Sequence, residues 1–534
     1  MTKYGILYSM EDHLSPGEAI ALLNNLNPIW AYAIGNPQTD RFMAGAWTLN
    51  ALQSKTHKEV GVTLRNAPDE ARNTDIAGQH RIRPWEIETM LNEHFLHRAN
   101  TLYTFFQPDD WNHWAQLTTL LRRVENAQSA LSSDQTRIID HLFHIGSRQF
   151  EWQQGFLNYS EVFRGIFIYG QGKCADRFFE KFGISIDSFF TYGFALMSMF
   201  LSHPRCRADI DLSTIGVSSR EAAVAHDILV SDVPKIARLC QAERDREGEI
   251  AYKPSILRLY PCIKGGIRNR YIYCPLPELI IKRVSTGIFY DVIDGGADIR
   301  EDYGRRFEQY VKLLIQKYQP DFFLSTEQRY MTRKGELMSP DLFLSLRRES
   351  FDVIIECKAS RMSFRTRFSH IDDTGNRGYE EMSKAVFQIW RHAFHVRTGK
   401  GLPKVTKDAI GLVLTLDSWF QAGIKRQEMV LSEAKKLFSE KCPDGKECDQ
   451  IPIGFTNMTE LEHVLRSGTP ASILAAIREL SSEERRGWSF DIIHNQLYPG
   501  ELRYTAFPFE DELCELLPFW GTVRDSAREK RKVD

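Results

Sequence analysis

The spacing of apolar residues predicts helices over most of the chain outside its centre. Four segments have a Ser followed three positions later by Glu or Gln, an arrangement in which the two side chains cap backbone amides at a helix start. These segments are residues 15–18, 132–135, 218–221 and 481–484. Apolar residues at helical spacing follow them. We therefore expect amphipathic helices between residues 84 and 245, and residues 189–201 predict a buried core helix.

The pattern changes in the middle of the chain. Apolar runs at 256–262 and 271–274 flank a Lys-Gly-Gly sequence at 264–266 and predict a β-hairpin. An Asp-Gly-Gly sequence at 294–296 marks a boundary. The elements predicted after it are a helix at 303–318, strands at 322–330, 342–346 and 352–358, a helix at 379–396 and a buried strand at 410–416.

This order of elements predicts a central α/β domain, with a mixed β-sheet flanked by helices. A large, mainly α-helical N-terminal region and a smaller helical C-terminal region surround it. The predicted units are an α/β or mixed segment at 1–83, a mainly helical recognition or regulatory domain at 84–295 with a hairpin near 250–275, the α/β domain at 296–430 and a helical region at 431–534. A chain of 534 residues is long enough for several hydrophobic cores.

The distribution of charged residues along the chain allows one local basic surface. The formal net charge of −2 excludes a uniformly basic nucleic-acid-binding protein. Residues 357–407, however, contain eleven Lys and Arg against four Asp and Glu. This local excess predicts contacts with a phosphate backbone, and a solvated loop is the alternative. The candidate contact residues are Arg361, Arg365, Arg367, Lys384 and Arg391.

Nine scattered cysteines without a Cys-x-x-Cys pair predict reduced thiols in a cytoplasmic protein. The N-terminus lacks signal-peptide features, and residues 189–201 fall short of the ~20 apolar residues of a membrane-spanning helix, so we expect no membrane partner.

Cys442 and Cys448 lack a second ligand pair for zinc. The sequence at 170–173 lacks the first Gly and the Ser or Thr of a phosphate-binding loop. Two histidine pairs are interpreted as core or surface residues: His141 with His144, and His392 with His395.

Three polar residues lie on two of the predicted central strands. Asp341 begins one strand, and Glu356 and Lys358 lie on the other. Because strand side chains alternate, Glu356 and Lys358 face the same side, and a hairpin pairing brings Asp341 to that side as well. Two carboxylates there form an oxygen site suited to Mg²⁺ or Mn²⁺, with an ammonium group beside it to stabilise negative charge on a phosphate. A simple ion pair between Glu356 and Lys358 is the alternative interpretation.

The central segment resembles the PD-(D/E)xK, or restriction-endonuclease-like, nuclease superfamily. Pro340-Asp341 and Glu356-Cys357-Lys358 match the signature of that superfamily. The resemblance implies that Asp341, Glu356 and the backbone carbonyl of Cys357 bind Mg²⁺ or Mn²⁺. It also implies that Lys358 acts in catalysis beside the metal ion.

Two further residues occupy positions that this superfamily uses on the helices around its sheet. Glu308 lies on the preceding helix and Gln388 on the following one, and the resemblance implies that both belong to the catalytic site. For Glu308, a surface charge on an amphipathic helix is the alternative. The recombination-exonuclease branch of the superfamily has Tyr four residues after the Gln. This chain has His392 at that position, so it departs from the pattern of that branch.

These features together predict a metal-dependent deoxyribonuclease that hydrolyses phosphodiester bonds, in restriction, invader defence or repair. We expect DNA as its partner, and a homo-oligomer or a partner subunit is compatible with the sequence. Two alternatives stay open. The nuclease-like domain binds nucleic acid or a protein partner without cutting, or the helical segments are the working surface and the α/β domain is a scaffold.

Overall fold

The structure is a computed structural model, and it describes residues 14–54, 62–72, 75, 77–99, 106–132, 145–146, 148–149, 151–153, 158–246, 248–332, 335–361, 375–417, 423–500 and 505–533. Within these residues the protein is a mixed α/β protein whose mixed sheets are flanked by helices. None of the described helices is long and apolar enough to cross a membrane. The helix start predicted at 132–135, apart from Ser132, lies outside the described residues, as do His141 and His144.

Helices dominate residues 84–245, as the apolar spacing predicts, and they also dominate the described part of residues 1–83, where an α/β or mixed segment is expected. Their bounds are α1 Pro16–Gly35, α2 Thr39–Leu52, α3 Pro84–His97, α4 Trp111–Ser132, α5 Tyr159–Tyr169, α6 Gly172–Phe182, α7 Ile186–Phe200, α8 Ser219–Leu229 and α9 Val233–Arg244. Reciprocal hydrogen bonds between Ser15 and Glu18 cap α1, and the same arrangement of Ser218 and Glu221 caps α8. The apolar run predicted as a core helix is α7, and most of its residues are buried.

A small four-stranded sheet is formed by strands that lie between and after these helices. Its strands are β1 Arg205–Arg207, β2 Val230–Ser231, β3 Cys262–Gly265 and β4 Tyr271–Tyr273, in the order β1-β4-β3-β2. β3 and β4 pair antiparallel, with Ile263 opposite Tyr273, so a hairpin is present near 250–275 as predicted, but its first strand is Cys262–Gly265 and not 256–262. Its turn begins at Gly266, whose φ of 74° is a conformation that glycine adopts without strain. Two short helices, α10 Glu278–Val284 and α11 Phe289–Val292, complete this region.

The central region contains the predicted alternation of helices and strands. Its elements are α12 Ala297–Tyr318, β5 Phe323–Thr326, β6 Arg329–Thr332, β7 Gly335–Met338, β8 Leu342–Ser345, β9 Phe351–Lys358, α13 Gly375–Arg397 and β10 Val405–Thr415. The single strand predicted at 322–330 is wrong, because β5 belongs to the main sheet whereas β6 pairs with β7. Two hydrogen bonds between Gln328 and Ser339, at 2.9 and 2.8 Å, close the β6–β7 hairpin at its base.

The C-terminal region is less uniformly helical than its sequence pattern predicts. Its elements are α14 Ile424–Lys441, β11 Ile453–Asn457, α15 Met458–Ser467, α16 Pro470–Leu480, α17 Phe490–Leu497, α18 Glu510–Leu516 and α19 Pro518–Val533. β11 is a buried strand in a region predicted to be helical. The helix predicted to start at 481–484 is also wrong. Ser481 instead ends α16, where its hydroxyl donates to the Arg478 carbonyl at 2.8 Å.

The main sheet has five strands in the order β11-β10-β9-β8-β5. β9, β10 and β11 run parallel, whereas β8 pairs antiparallel with β9 and with β5. Side chains on the two faces of β9 belong to different apolar clusters. Val353 and Ile355 pack in the cluster that contains α12, and Ile354 packs in the cluster that contains α13 and α14. The sheet is therefore covered by helices on both faces, as its parallel strands β9, β10 and β11 require.

The apolar cores do not follow the predicted division of the chain into units. One cluster joins Leu49 of α2 and Leu121 of α4 to Ile263 of β3, across the predicted boundary at residue 83. A larger cluster joins Phe163 of α5, Phe307 of α12 and residues of α15 to α19, across the predicted boundaries at 295 and 430. The division into four units stays a prediction.

Candidate active site

Asp341 and Glu356 lie on neighbouring segments of the main sheet. Leu342 of β8 pairs with Ile355 of β9, and the same antiparallel register places Asp341 opposite Glu356. Directly opposed residues of an antiparallel pair have their side chains on the same face. One carboxylate oxygen of Asp341 accepts a hydrogen bond from the backbone N–H of Cys357 at 2.6 Å. The structure thus brings together the two acidic residues that the strand pattern singles out.

Glu356 is a charged residue inside an apolar strand. It is 1% exposed, and its Oε1 accepts a hydrogen bond from Lys358 Nζ at 2.8 Å. Its Oε2 is buried and has no hydrogen-bond partner among the residues that the structure describes. A buried carboxylate oxygen without a partner is costly, because its hydration is lost and nothing replaces it. A cation bound at this oxygen would remove that cost.

Lys358 is held between Glu356 and the following helix. Besides its bond to Glu356, its Nζ lies 3.5 Å from Oε1 of Gln388 on α13. Burial lowers the pKa of Lys358, but the carboxylates of Glu356 and Asp341 outweigh this effect and raise the pKa above its usual range. Lys358 is therefore a charged ammonium group at neutral pH. Gln388, on the helix where the resemblance implies it, fixes the direction of this group.

Glu308 of α12 is electrostatically part of the same cluster. Burial, followed by the carboxylates of Glu327 and Glu356, raises its pKa from 4.5 to about 7. The pKa of Asp341 is raised well above its usual range by burial, by Glu356 and by Glu308. Like charges in a poorly solvated site disfavour one another's ionised forms. The cluster therefore needs protons or a bound cation at neutral pH.

Glu327 is an acidic residue near this cluster that the sequence pattern misses. It lies between β5 and β6, and partial burial together with the carboxylate of Glu356 raises its pKa. Its position was hidden because residues 322–330 appear as one strand in the sequence. The signal that could have revealed it is the polar Glu-Gln pair at 327–328, which separates two apolar runs.

The acidic cluster offers a small set of oxygen donors for a divalent cation. Among the residues that the structure describes, no group of three or more His, Cys, Asp or Glu side chains has the arrangement of a complete metal site. Asp341 and Glu356 can supply two carboxylates, and the Cys357 carbonyl stays a predicted ligand. Mg²⁺ commonly binds through one or two carboxylates and completes its shell with water and substrate phosphate oxygens. The residues present fit such an open site.

The predicted phosphate contacts have different outcomes. Lys384 is exposed on α13, and Arg391 is partly buried with its guanidinium 5.5 Å from the ring centre of Phe387. Arg365 and Arg367 lie outside the described residues. The side chain of Arg361 is only 8% exposed, and its Nε donates to Asp417 at 2.9 Å. Its contact with a phosphate backbone stays a prediction, which this burial and pairing disfavour.

The second histidine pair of the sequence, His392 and His395, lies in the protein core. His392 bonds to the Pro403 carbonyl and His395 to the Tyr330 hydroxyl, and burial lowers the pKa of both histidines to about 4. Both are therefore neutral core residues. All nine cysteines are free thiols, with Cys442 buried and Cys448 exposed.

Comparisons of the chain with protein-family models, curated proteins and solved structures gave no match. The functional argument therefore rests on the geometry and chemistry of the site.

Proposed function

We propose that this protein is a Mg²⁺- or Mn²⁺-dependent nuclease that hydrolyses phosphodiester bonds of DNA. The observation that carries the proposal is that Asp341, Glu356 and Lys358 lie together near the end of β9, with one buried oxygen of Glu356 lacking a hydrogen-bond partner among the described residues. Two carboxylates and one ammonium group together can support metal-assisted attack on a phosphate.

The roles of the residues follow from their contacts. A bound Mg²⁺ ion would polarise the scissile phosphate and lower the pKa of a water molecule. Asp341, oriented by the Cys357 amide, and Glu356 would hold that ion. The Lys358 ammonium stabilises negative charge that develops on the phosphate, and Gln388 keeps it in place. Glu308, with a pKa of about 7, is suited to exchange a proton near neutral pH.

Cleavage of linear, circular and single-stranded DNA in Mg²⁺ or Mn²⁺ tests the proposal. Asp341→Ala and Lys358→Ala should each lower the rate by roughly 100-fold or more, since each removes a group that stabilises the transition state. Glu336→Ala, which removes an exposed carboxylate on β7, is the matched control and should cleave like the wild type.

The outcomes separate the three functional hypotheses. Equal cleavage by wild type, Asp341→Ala and Lys358→Ala rejects the catalytic assignment. DNA binding without metal-dependent cleavage favours a catalytically silent nucleic-acid-binding protein. The absence of both DNA binding and DNA cleavage favours a scaffold with a helical working surface. A metal-dependent rise in the wild-type melting temperature that Asp341→Ala abolishes would report cation binding independently of activity.

A further inference from the structure

Arg361 is a buried cation three residues after the end of the candidate catalytic strand. Its side chain is 8% exposed, and its Nε donates to Asp417 Oδ2 at 2.9 Å. Its Nη1 donates to the backbone carbonyl of Thr286 at 3.0 Å. One guanidinium therefore joins β9 to the segment after β10 and to the helical region before α12.

Aromatic rings surround the same guanidinium. Its Cζ lies 5.8 Å from the ring centre of Tyr169, 5.1 Å from that of Phe289 and 5.9 Å from that of Tyr290. Tyr169 ends α5, and the other two rings belong to α11. Arg is favourable among aromatic faces because the negative face of each ring attracts the planar cation. All three rings belong to the helical region, so Arg361 is anchored there by more than one contact.

The segment between Lys358 and Arg361 has little freedom to move. The Lys358 carbonyl accepts a hydrogen bond from the Leu416 amide at 3.1 Å, and the Ser360 hydroxyl donates to Glu381 on α13. Asp417, the partner of Arg361, has its own carbonyl bonded to the Thr415 hydroxyl at 2.6 Å. The ends of β9 and β10 are thus tied together and to the helical region. Movement of Arg361 must displace the backbone that carries Lys358.

We propose that Arg361 is a positioning residue that holds the Lys358 end of β9 in register with Glu356 by anchoring it to the helical region around Tyr169, Thr286 and Phe289. The inference rests on the proposed function in one respect, that Lys358 acts in catalysis. Arg361 touches neither metal nor substrate in this role. The helical region is then a part of the catalytic apparatus and not only a neighbouring unit.

Arg361→Met tests this role, because it removes the charge and hydrogen bonds but keeps an apolar side chain in the aromatic box. Arg148→Met is the matched control. Arg148 is another buried arginine, with its side chain 10% exposed and its guanidinium paired with Glu125 of α4 at 2.6 Å. Arg361→Lys restores the positive charge toward Asp417. For each variant, kcat, KM, the melting temperature and the hydrogen exchange of residues 351–358 should be measured.

We expect both Met variants to lower the melting temperature. Arg361→Met alone should lower kcat by roughly 10- to 100-fold with little change in KM, as small displacements of a catalytic group do. It should also speed amide exchange in residues 351–358, whereas Arg148→Met should not. Arg361→Lys should recover part of kcat.

Two results would overturn the inference while leaving the proposed function intact. One is wild-type kcat in Arg361→Met, and the other is an equal loss of kcat in Arg361→Met and Arg148→Met. If the wild type cleaves no DNA, the proposed function fails. Hydrogen exchange then still tests whether Arg361 anchors the end of β9. Faster exchange of residues 351–358 in Arg361→Met alone would keep it as the anchor of that strand, and equal exchange in both variants would reject it.

Discussion

Three carboxylates of the candidate site, those of Glu308, Asp341 and Glu356, share one poorly solvated region with a single ammonium group. The pKa of Glu308 and that of Asp341 are raised by burial and by their acidic neighbours. Such repulsion destabilises the folded state, and it persists because a single lysine cannot neutralise all three groups. Structural ion pairs normally match their charges. An excess of buried acid is typical of sites that work with a cation or a proton.

Glu308 should make stability depend on pH. Its pKa is raised from 4.5 to about 7 in the folded protein, so between these values the folded state binds more protons than the unfolded state. The free energy of unfolding must then fall as the pH rises through this window. In metal-free buffer, Glu308→Gln should lose less stability than the wild type between about pH 5 and about pH 8, measured by urea unfolding.

Glu301→Gln, an exposed change on the same helix, serves as the control and should behave like the wild type. Part of the pH dependence should remain in Glu308→Gln, because the pKa of Asp341 is raised as well. Parallel pH profiles for Glu308→Gln and the wild type would show that Glu308 titrates normally and is not part of the acidic cluster.

At the scale of elements, the sequence predicts those whose local pattern agrees with their environment. β9 is predicted to within one residue of its bounds, because an apolar run leads into Glu356 and Lys358. The apolar face of α12 predicts its end at Tyr318, but the helix begins at Ala297, six residues before the predicted start at 303. β11 is not predicted, because a five-residue strand buried on both faces has no alternation to detect. The break between β5 and β6 is missed because residues 322–330 appear as one strand, although the polar Glu327-Gln328 pair interrupts them.

The same capping motif gives a correct prediction of a helix start at 218–221 and a wrong one at 481–484. Ser218 caps α8 by accepting a hydrogen bond from the Glu221 amide, whereas Ser481 lies after the end of α16. Ser218→Ala should therefore cost about 1 kcal/mol in the opening free energy of α8. Ser481→Ala should cost much less. Hydrogen exchange of residues 219–229 and of residues 481–489 measures both, and equal costs would mean that 481–484 does begin a helix.

At the scale of the whole molecule, the candidate site sits on a sheet whose two faces depend on different parts of the chain. One face packs with α12, which contacts the helical region, and the hydroxyl of Tyr310 on α12 donates to Glu462 of α15 at 3.0 Å. Arg164 of α5 pairs with the same carboxylate. A buried carboxylate thus links three regions that the sequence pattern assigns to separate units. Residue patterns show which face is apolar, but they do not show which distant segment covers it.

This shared core predicts that residues 296–430, expressed alone, will not fold into the structure they have in the full chain. The isolated segment would expose Phe307, Val311 and Leu314, which are fully buried in the cluster shared with α5 and α15. Exposing such large apolar side chains costs about 2 kcal/mol each, which is a large share of the stability of a small domain. We expect poor amide dispersion in its NMR spectrum and no cleavage of DNA. A well-dispersed fragment that cuts DNA would instead establish 296–430 as an autonomous domain. It would also make the anchoring of Arg361 to the helical region dispensable for catalysis, because Tyr169, Thr286 and Phe289 are absent from that fragment.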